Sequence, residues 1–559
     1  MRPPSFGGLA VATLFLAASL TPSLVPRHWA FQGVVIGVVT AAGYGVGTLA
    51  VAVLRNFVSV RLSPSTARIA WRTVAVVGLV GTALLTRWAI GWQQDLHVLM
   101  GMPRPSGVGY VVAVLLGVLL GVALVAAARA IRWFDRRVNR WFSRWLPARV
   151  AGAIGVILVT LVVAGLLDGL INQVLFQTAD ETFRLSDRSF DGRAIRPIDP
   201  LRSGAPASDI KWTDLGSQGR NFVAGGPSER DLRAFADGPV VAPIRVYVGL
   251  DAAEEDRDRA QLVVDELERT GAFDRAVLCV ITATGTGWVD PEAAAALEYL
   301  WAGDTALATM QYSYLPSWIS LLVDSTRARD AGAELFDAVY ERWLQVPEDE
   351  RPLLVVFGES LGVDGSEAAF SGVADLRNRV DGALWVGPPN FSELWHTFTE
   401  RRDPGSPERL PVYDGGATVR FAATPEDLRE PSTPWSPPRV VYLQHSSDPV
   451  VWWSPRLILR RPDWLEEPQG SDVLPEMRWY PLVTFGQLTA DLANAERVPP
   501  GHGHGYGTLV ADAWAAIVPP PGWSDTDTVR LREVVAEQLA EREEAGTAAA
   551  FDRAGRGGD

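Results

Sequence analysis

The chain has 559 residues, of which 48% are hydrophobic and 21% charged, and its formal net charge is −14. Residues 1–179 hold fifteen Arg, three Asp and no Lys or Glu, for +12, whereas the rest of the chain carries −26. This asymmetry excludes a single soluble domain, and the apolar content excludes a largely disordered chain. A single cysteine, Cys279, excludes a disulfide framework and a cysteine-rich metal site. An acidic chain with no basic stripe outside its apolar part gives no reason to expect nucleic acid as a partner.

Five apolar runs in the first third of the chain predict membrane-spanning helices. They lie at about residues 7–26, 30–54, 73–92, 107–128 and 150–176. Several reach the ~20 residues that a helix needs to cross ~30 Å of hydrocarbon. We therefore expect an all-α polytopic transmembrane domain over residues 1–177, with the lipid bilayer as its partner. The first run contains two prolines and begins near residue 1, so a signal peptide is the alternative for that run.

Arginine in the connecting loops predicts the orientation. The loops after the second and fourth runs carry eleven arginines: Arg55, Arg61, Arg68, Arg72, Arg129, Arg132, Arg136, Arg137, Arg140, Arg144 and Arg149. Because Arg-rich short loops stay in the cytoplasm, everything after about residue 178 is expected outside the cytoplasmic membrane. The fourfold spacing from Arg132 to Arg144 predicts an amphipathic helix lying in the membrane interface. Within the spans, Arg87 and Asp168 are costly in lipid, and we expect them to pair across the bundle.

From about residue 241, short β-rich runs alternate with helical stretches. This alternation predicts a mostly parallel sheet with helices on both faces. The expected strands are Ile244–Leu250, Arg275–Thr284, Ala306–Tyr312, Leu353–Phe357, Ala383–Val386 and Arg439–Leu443. We expect this α/β domain to occupy 241–540, with an insertion or lid at about 389–437. Residues 178–240 are interpreted as a linker or docking segment, and 541–559 as a disordered tail.

The strongest chemical motif is G-x-S-x-G at Gly358–Gly362, directly after a continuous apolar strand and before a helical stretch. A tight strand-to-helix turn of this kind, a nucleophile elbow, projects its serine at the end of the strand. The motif alone is weak, and its context makes Ser360 the expected nucleophile. Cys279 lies among apolar strand residues and is expected to be a core residue.

A serine nucleophile needs a base and an orienting carboxylate, in the chain order Ser, acid, His. Asp448 follows the strand Arg439–Leu443 and is the expected acid. The loop Pro499–Gly507 holds two histidines; His504 is the expected base because it lies nearer the following helix, and His502 is the alternative. His396 and His445 are not expected to act as the base. The His-x-His spacing lacks a third metal ligand, so no metal site is predicted.

Two backbone N–H groups are needed to hold the oxyanion of an acyl-transfer intermediate. Leu361, the residue after the nucleophile, is the first expected donor. The second is expected in the Gly-rich loop after Arg275–Thr284, at Thr286 or Gly287. This loop lacks the motifs of a phosphate-binding loop, so no cofactor is implied.

Together these residues resemble the membrane-anchored α/β-hydrolase family of actinobacteria. The resemblance is carried by the strings TGTGWVDP (Thr284–Pro291), QYSYLPSW (Gln311–Trp318), GESLG (Gly358–Gly362), YLQHSSDPVVWW (Tyr442–Trp453), GHGHGY (Gly501–Tyr506) and LTPSLVPR (residues 20–27). It implies an α/β-hydrolase fold with a serine nucleophile at Ser360, and it implies little about the substrate.

The expected function is a membrane-anchored serine hydrolase that acts on an acyl ester, lipid-like or from the cell envelope, outside the cytoplasmic membrane. An acyltransferase with the same triad is the first alternative, since it differs only in the acceptor of the acyl group. A non-catalytic scaffold or sensor with a degenerate hydrolase domain is the second. Four tryptophans lie beside the motif loops: Trp288, Trp318, Trp452 and Trp453. They fit two interpretations equally well, an apolar groove for an acyl chain and a well-filled protein core.

Overall fold

The computed structural model describes residues 5–57, 63–142, 194–315 and 325–556. Its chain divides into two compact units. The first, the helical unit, comprises Met1–Ala179 and Trp453–Pro499, and the second comprises Asp180–Trp452 and Pro500–Asp559. Residues 453–499, here called the inserted segment, are therefore separated in sequence from the helices with which they fold.

In chain order the helices before the sheet are α1 (Phe6–Ser19), α2 (Trp29–Leu54), α3 (Pro64–Leu99), α4 (Gly107–Phe142), α5 (Gly216–Ala224) and α6 (Glu229–Phe235). The sheet region contains β1 (Ile244–Val248), α7 (Asp256–Thr270), β2 (Val277–Thr282), α8 (Pro291–Leu300), β3 (Thr305–Met310), α9 (Ser325–Trp343), β4 (Leu353–Glu359), α10 (Leu361–Glu367), α11 (Val373–Arg379), β5 (Gly382–Val386), α12 (Glu393–Glu400), β6 (Val419–Ala422) and β7 (Arg439–Leu443). The remaining helices are α13 (Pro449–Trp452), α14 (Val483–Leu492), α15 (Leu509–Ile517) and α16 (Asp525–Arg556). Short 3₁₀ helices lie at Trp212–Leu215, Ala272–Asp274, Asp414–Gly416, Asp427–Arg429, Pro455–Ile458 and Asp463–Leu465.

Three described helices are long and apolar enough to cross a membrane: Trp29–Leu54, Arg68–Leu99 and Gly107–Val138. They correspond to the second, third and fourth apolar runs. The first run forms only the 14-residue helix α1, which at 1.5 Å per residue is about 21 Å long and shorter than a full span. The fifth run and Asp168 lie outside the described residues, so a span there and the Arg87–Asp168 pair stay predictions.

Helices α2 and α4 pack closely because each presents glycines one turn apart. Gly33 and Gly37 of α2 face Gly117 and Gly121 of α4. A Cβ at Gly117 would lie 2.9 Å from the Gly33 carbonyl oxygen, and one at Gly121 would lie 3.2 Å from that of Gly37. This is the small-xxx-small pattern by which apolar helices approach each other without a hydrophobic driving force.

The Arg-rich stretch after the fourth run was expected to form an amphipathic helix of its own in the membrane interface. In the part of this stretch that the structure describes, it forms no separate helix. Helix α4 runs without a break to Phe142 and includes Arg132, Arg136 and Arg140. The sequence from Val122 to Phe142 contains no Gly or Pro and is rich in Ala and Arg, which favour helix continuation.

The second unit contains a seven-stranded sheet with the order β1-β3-β2-β4-β5-β7-β6, in which all strand pairs are parallel. Its strands are buried almost throughout, for example every residue of β2 and all but the first of β4. Continuous apolar runs are typical of strands covered by helices on both faces. The expected fold class, apolar helices followed by an α/β-hydrolase type sheet, is confirmed.

Three details differ from the sequence expectation. The segment 389–437, expected to be an insertion or lid, contributes the edge strand β6 to the sheet. The tail from residue 541, expected to be disordered, continues α16 to Arg556, because its Ala, Glu and Arg residues favour a helix. The inserted segment, expected within the α/β domain, folds with the helical unit instead.

Candidate active site

Ser360 occupies a sharp turn between β4 and α10. Its backbone has φ 54° and ψ −126°, a strained conformation for a residue other than glycine. Its N–H donates to the carbonyl oxygen of Val386, at 2.8 Å, in the neighbouring strand β5. Side chains at Gly358 or Gly362 would overlap the backbone of Gly362 or Thr282, respectively, so the turn needs both glycines. The local geometry is that of a nucleophile elbow.

Asp448 and His504 form a buried pair. Asp448 follows β7, and His504 lies in the loop before α15. The Nδ1 atom of His504 is 2.7 Å from Oδ2 of Asp448, and the side chains are 3% and 0% exposed. The other carboxylate oxygen, Oδ1, accepts the backbone N–H of Val450 at 2.8 Å. The contact with Asp448 favours the tautomer of His504 that carries its proton on Nδ1.

Gly387 connects this pair to Ser360. It directly follows Val386, whose carbonyl oxygen binds the Ser360 N–H. A Cβ at Gly387 would overlap the His504 imidazole and lie 3.1 Å from Oδ2 of Asp448. Ser360, Asp448 and His504 therefore gather at the carboxyl ends of the adjacent strands β4, β5 and β7, the edge where ligands bind in open parallel sheets.

His502, the alternative base, is not brought to Asp448. It is half-buried and forms a backbone bridge with Gly505. In the part of the chain that the structure describes, its Nδ1 has no hydrogen-bond partner. His396 lies on α12, 3.8 Å from Glu400. The carboxylate of Asp448 thus orients His504 and neither of these histidines.

Tyr506 is a member of the site that sequence reasoning missed. Its hydroxyl donates to Oδ2 of Asp448 at 2.8 Å and accepts the backbone N–H of His445 at 3.2 Å. The His445 ring stacks on the phenol with centroids 4.3 Å apart, and its Nδ1 lies 3.0 Å from the Gly503 carbonyl oxygen. Burial, and secondly the negative charge of Asp448, raise the pKa of Tyr506 well above its usual range. The phenol therefore remains a proton donor. The only sequence signal was its position two residues after His504.

Of the three expected oxyanion donors, Leu361, Thr286 and Gly287, the structure excludes Gly287. Leu361 is fully buried at the start of α10, next to Ser360. In the loop after β2, however, the N–H of Gly287 donates to the Thr284 carbonyl oxygen at 2.8 Å and closes a turn. Gly287 is therefore not available as a donor to substrate. Thr286 remains the candidate in this loop, and its carbonyl is held by Nε2 of Gln311 at 3.1 Å.

Several acidic groups lie buried near the elbow. Burial, followed by the charge of Glu359, raises the pKa of Asp290 well above its usual value. Asp290 also accepts the Glu292 N–H at 2.8 Å and caps α8. Burial raises the pKa of Asp364 to about 6, although Arg329, 3.2 Å away, opposes this shift. These groups cap helices or pair with arginine.

The described residues contain no group of three or more His, Cys, Asp or Glu side chains that could hold a metal ion. Cys279 is buried in β2, and burial raises the pKa of its thiol.

Trp452 is also buried, with its indole N–H donating to the His445 carbonyl oxygen at 3.0 Å. This tryptophan fills the core, whereas Trp318 lies outside the described residues.

Comparison with known protein families gives two matches, which together cover most of the chain. Residues 244–531 match the alpha/beta-hydrolase family, and residues 20–227 match the N-terminal domain model of that family. No curated protein and no solved structure matches. The region matched by the first model contains Ser360, Asp448, His502 and His504. The chain belongs to the alpha/beta-hydrolase family.

Proposed function

We propose that this protein is a membrane-anchored serine hydrolase that cleaves acyl esters outside the cytoplasmic membrane. The observation that carries the proposal is the convergence of an elbow serine, Ser360, with the buried Asp448–His504 pair. Strained backbone at the serine, a 2.7 Å acid–base contact and strand-end placement are the features that nucleophilic acyl transfer requires.

The proposed reaction proceeds in two halves. Nε2 of His504 accepts the Ser360 hydroxyl proton while Oγ attacks the ester carbonyl carbon, and Asp448 stabilises the imidazolium. The N–H groups of Leu361 and Thr286 hold the oxyanion. Collapse breaks the ester C–O bond, the alcohol leaves with the proton from His504, and an acyl-Ser360 remains. Water then attacks this acyl group and gives a proton to His504. The bond between the acyl carbon and Oγ breaks, His504 returns the proton to Oγ, and the carboxylic acid is released.

Membrane anchoring is supported by the three long apolar helices. The extracytoplasmic orientation is supported by contacts within the helical unit. Asp491 of the inserted segment binds three residues in the loop between α1 and α2: Ser23, Leu24 and Arg27. This loop lies at the opposite end of α2 from Arg55, where the first Arg-rich loop begins. If Arg-rich loops are cytoplasmic, the inserted segment lies on the other side of the membrane.

The test is covalent labelling of the detergent-solubilised protein with a fluorophosphonate, which reacts with activated serines. We expect wild-type protein to be labelled and Ser360→Ala to be unlabelled. His504→Ala should lower the labelling rate by at least about 100-fold, because a general base contributes about 10²–10⁴-fold. His502→Ala is the matched control and should label at close to the wild-type rate.

Two results would contradict the proposal. Labelling that persists in Ser360→Ala would show that another residue is the nucleophile. Absence of labelling in folded wild-type protein, together with no hydrolysis of p-nitrophenyl esters of short or long acyl chains, would favour a non-catalytic scaffold.

A further inference from the structure

The inserted segment is fixed to the helices by a buried polar network. Arg27 and Asp491 form an ion pair with side chains 1% and 0% exposed. Nη1 of Arg27 also donates to Oε1 of Gln32 at 2.8 Å, and Nε2 of Gln487 donates to the Thr21 carbonyl oxygen at 3.0 Å. A buried charge pair is costly unless its groups are well bonded, so this end of α14 has a defined position beside the start of α2.

Helix α14 also packs against the side of α2. Val483 forms one apolar cluster with Val35 and Val39, and Gly486 lies against Val39. Val39 is ten residues along α2, about 15 Å from its start at 1.5 Å per residue. The 26 residues of α2 span about 39 Å, which exceeds the ~30 Å hydrocarbon layer by about 9 Å. Even if all this excess protrudes on the Arg27 side, Val39 lies about 6 Å inside the hydrocarbon boundary.

A solvent-facing patch of the inserted segment has the composition of a lipid-contacting surface. Leu459 is 77% exposed. It is flanked by three exposed arginines, Arg456, Arg460 and Arg461. Arg461 also donates to the Leu465 carbonyl oxygen at 2.6 Å and lies 3.7 Å from Glu466. The patch is joined to α14, because the Leu482 N–H donates to the Ile458 carbonyl oxygen at 3.0 Å. An exposed leucine among arginines suits the boundary between acyl chains and phosphates.

We propose that the inserted segment is seated in the outer head-group layer of the membrane, with Leu459 in the acyl boundary and Arg456, Arg460 and Arg461 against lipid phosphates. This inference rests on the membrane anchoring in the proposed function and goes beyond it. The segment begins five residues after Asp448 and ends five residues before His504. The chain thus passes from the Asp448 loop into the inserted segment and back to the His504 loop.

The test is electron paramagnetic resonance of single nitroxide labels in full-length protein reconstituted into phosphatidylcholine–phosphatidylglycerol vesicles. The single native cysteine is buried, so introduced surface cysteines are labelled selectively. Three positions are compared: Leu459→Cys in the patch, Val38→Cys on the exposed side of α2, and Glu348→Cys on the surface of the second unit. We expect labels at 38 and 459 to collide preferentially with oxygen and the label at 348 with a water-soluble nickel complex.

The outcomes separate this inference from the proposal on which it rests. A water-exposed label at 459 with a lipid-exposed label at 38 would overturn the seating of the inserted segment alone. Water exposure at both positions would overturn membrane anchoring itself.

The role of the arginines is tested by replacing Arg456, Arg460 and Arg461 together with Gln. We expect this change to move the 459 label toward water. The matched control replaces three exposed arginines of the second unit, Arg230, Arg257 and Arg401, and should leave the label unchanged. An unchanged 459 label in the patch variant would exclude phosphate contacts.

Discussion

Tyr506 donates its phenolic proton to the same oxygen of Asp448 that faces His504. The two contacts are 2.8 Å and 2.7 Å long. Because the other carboxylate oxygen binds the Val450 N–H, three donors fix the rotamer of the acid. The phenol also withdraws part of the carboxylate's negative charge from the imidazole. The Tyr506 ring also lies edge-on to the His504 imidazole, with centroids 6.0 Å apart, so the tyrosine contacts both members of the pair.

Replacing Tyr506 with Phe should change the pH dependence of serine labelling. Without the phenol, Asp448 becomes a stronger acceptor for the His504 Nδ1–H and stabilises the imidazolium. The acidic limb of the pH–rate profile should therefore move to higher pH by about 0.5 to 1 unit, which corresponds to roughly 1 kcal/mol. Measured labelling rates from pH 5 to 9 check this. The control is Tyr442→Phe, which removes a buried phenol bound to Glu367 and should leave this limb in place. An unmoved limb in Tyr506→Phe would leave this tyrosine with a packing role only.

Gly387→Ala should abolish activity while the protein stays folded. The new methyl group would occupy the space of the His504 imidazole and displace this ring from its position beside Asp448. We expect a loss of labelling rate of at least about 100-fold, comparable to removal of the base. Gly415→Ala is the matched control, since Gly415 has a similar φ of 62° and open space around it. Equal effects of the two substitutions would point to backbone strain and away from a collision with the base.

Asp491→Asn should destabilise the helical unit. The substitution leaves the Arg27 guanidinium buried with a neutral partner, and breaking a buried pair costs about 3–5 kcal/mol. We expect the midpoint of thermal unfolding in detergent to fall by about 6 °C or more. Asp525→Asn removes one partner of the exposed pair with Arg429 and should cost less than about 1 kcal/mol. Similar shifts of the unfolding midpoint in both variants would mean that the Arg27–Asp491 pair contributes no more to stability than a surface pair.

Glu367 should make stability fall as the pH rises from about 4.5 to 8. Burial raises the pKa of this carboxyl to about 8, although bonds from Tyr442, Leu394 and Trp395 oppose the shift. The folded protein therefore holds a proton that the unfolded chain releases near its ordinary pKa, so ionisation disfavours folding across this window. Glu367→Gln removes the titration. Urea unfolding at several pH values should show that the wild type loses stability relative to this variant between pH 5 and 8. Parallel curves would mean that Glu367 is ionised in the folded state.

The sheet was predictable because its strands are short apolar runs between helices. Strand β7 has the bounds that the sequence predicts, Arg439–Leu443. Strand β6 was missed because its four residues lie in a Pro- and Gly-rich stretch and include Arg420. The structure shows how this arginine is accommodated: its guanidinium donates to the carbonyl oxygens of Gly416, Leu428 and Thr433. These partners lie in the loops on either side of β6, and such loop contacts cannot be inferred from the periodicity of apolar residues.

Within the site, residue types were predictable and loop conformation was not. Motif context identifies Ser360, Asp448 and a His-x-His loop, but the choice between the two histidines depends on which ring the backbone turns toward Asp448. The same holds for Gly287, whose N–H is used in a turn. The sequence also did not indicate that the inserted segment folds with the helical unit, and the reason is different. It depends on the contact between Asp491 and Arg27, which are 464 residues apart.

That separation has a consequence for biogenesis. Arg27 leaves the ribosome long before its partner exists, and at about 5–20 residues per second the intervening chain takes roughly 20–90 s to synthesise. During that interval the first helices are already made while Arg27 lacks its acidic partner. Folding of the helical unit is therefore completed only after most of the second unit has been translated.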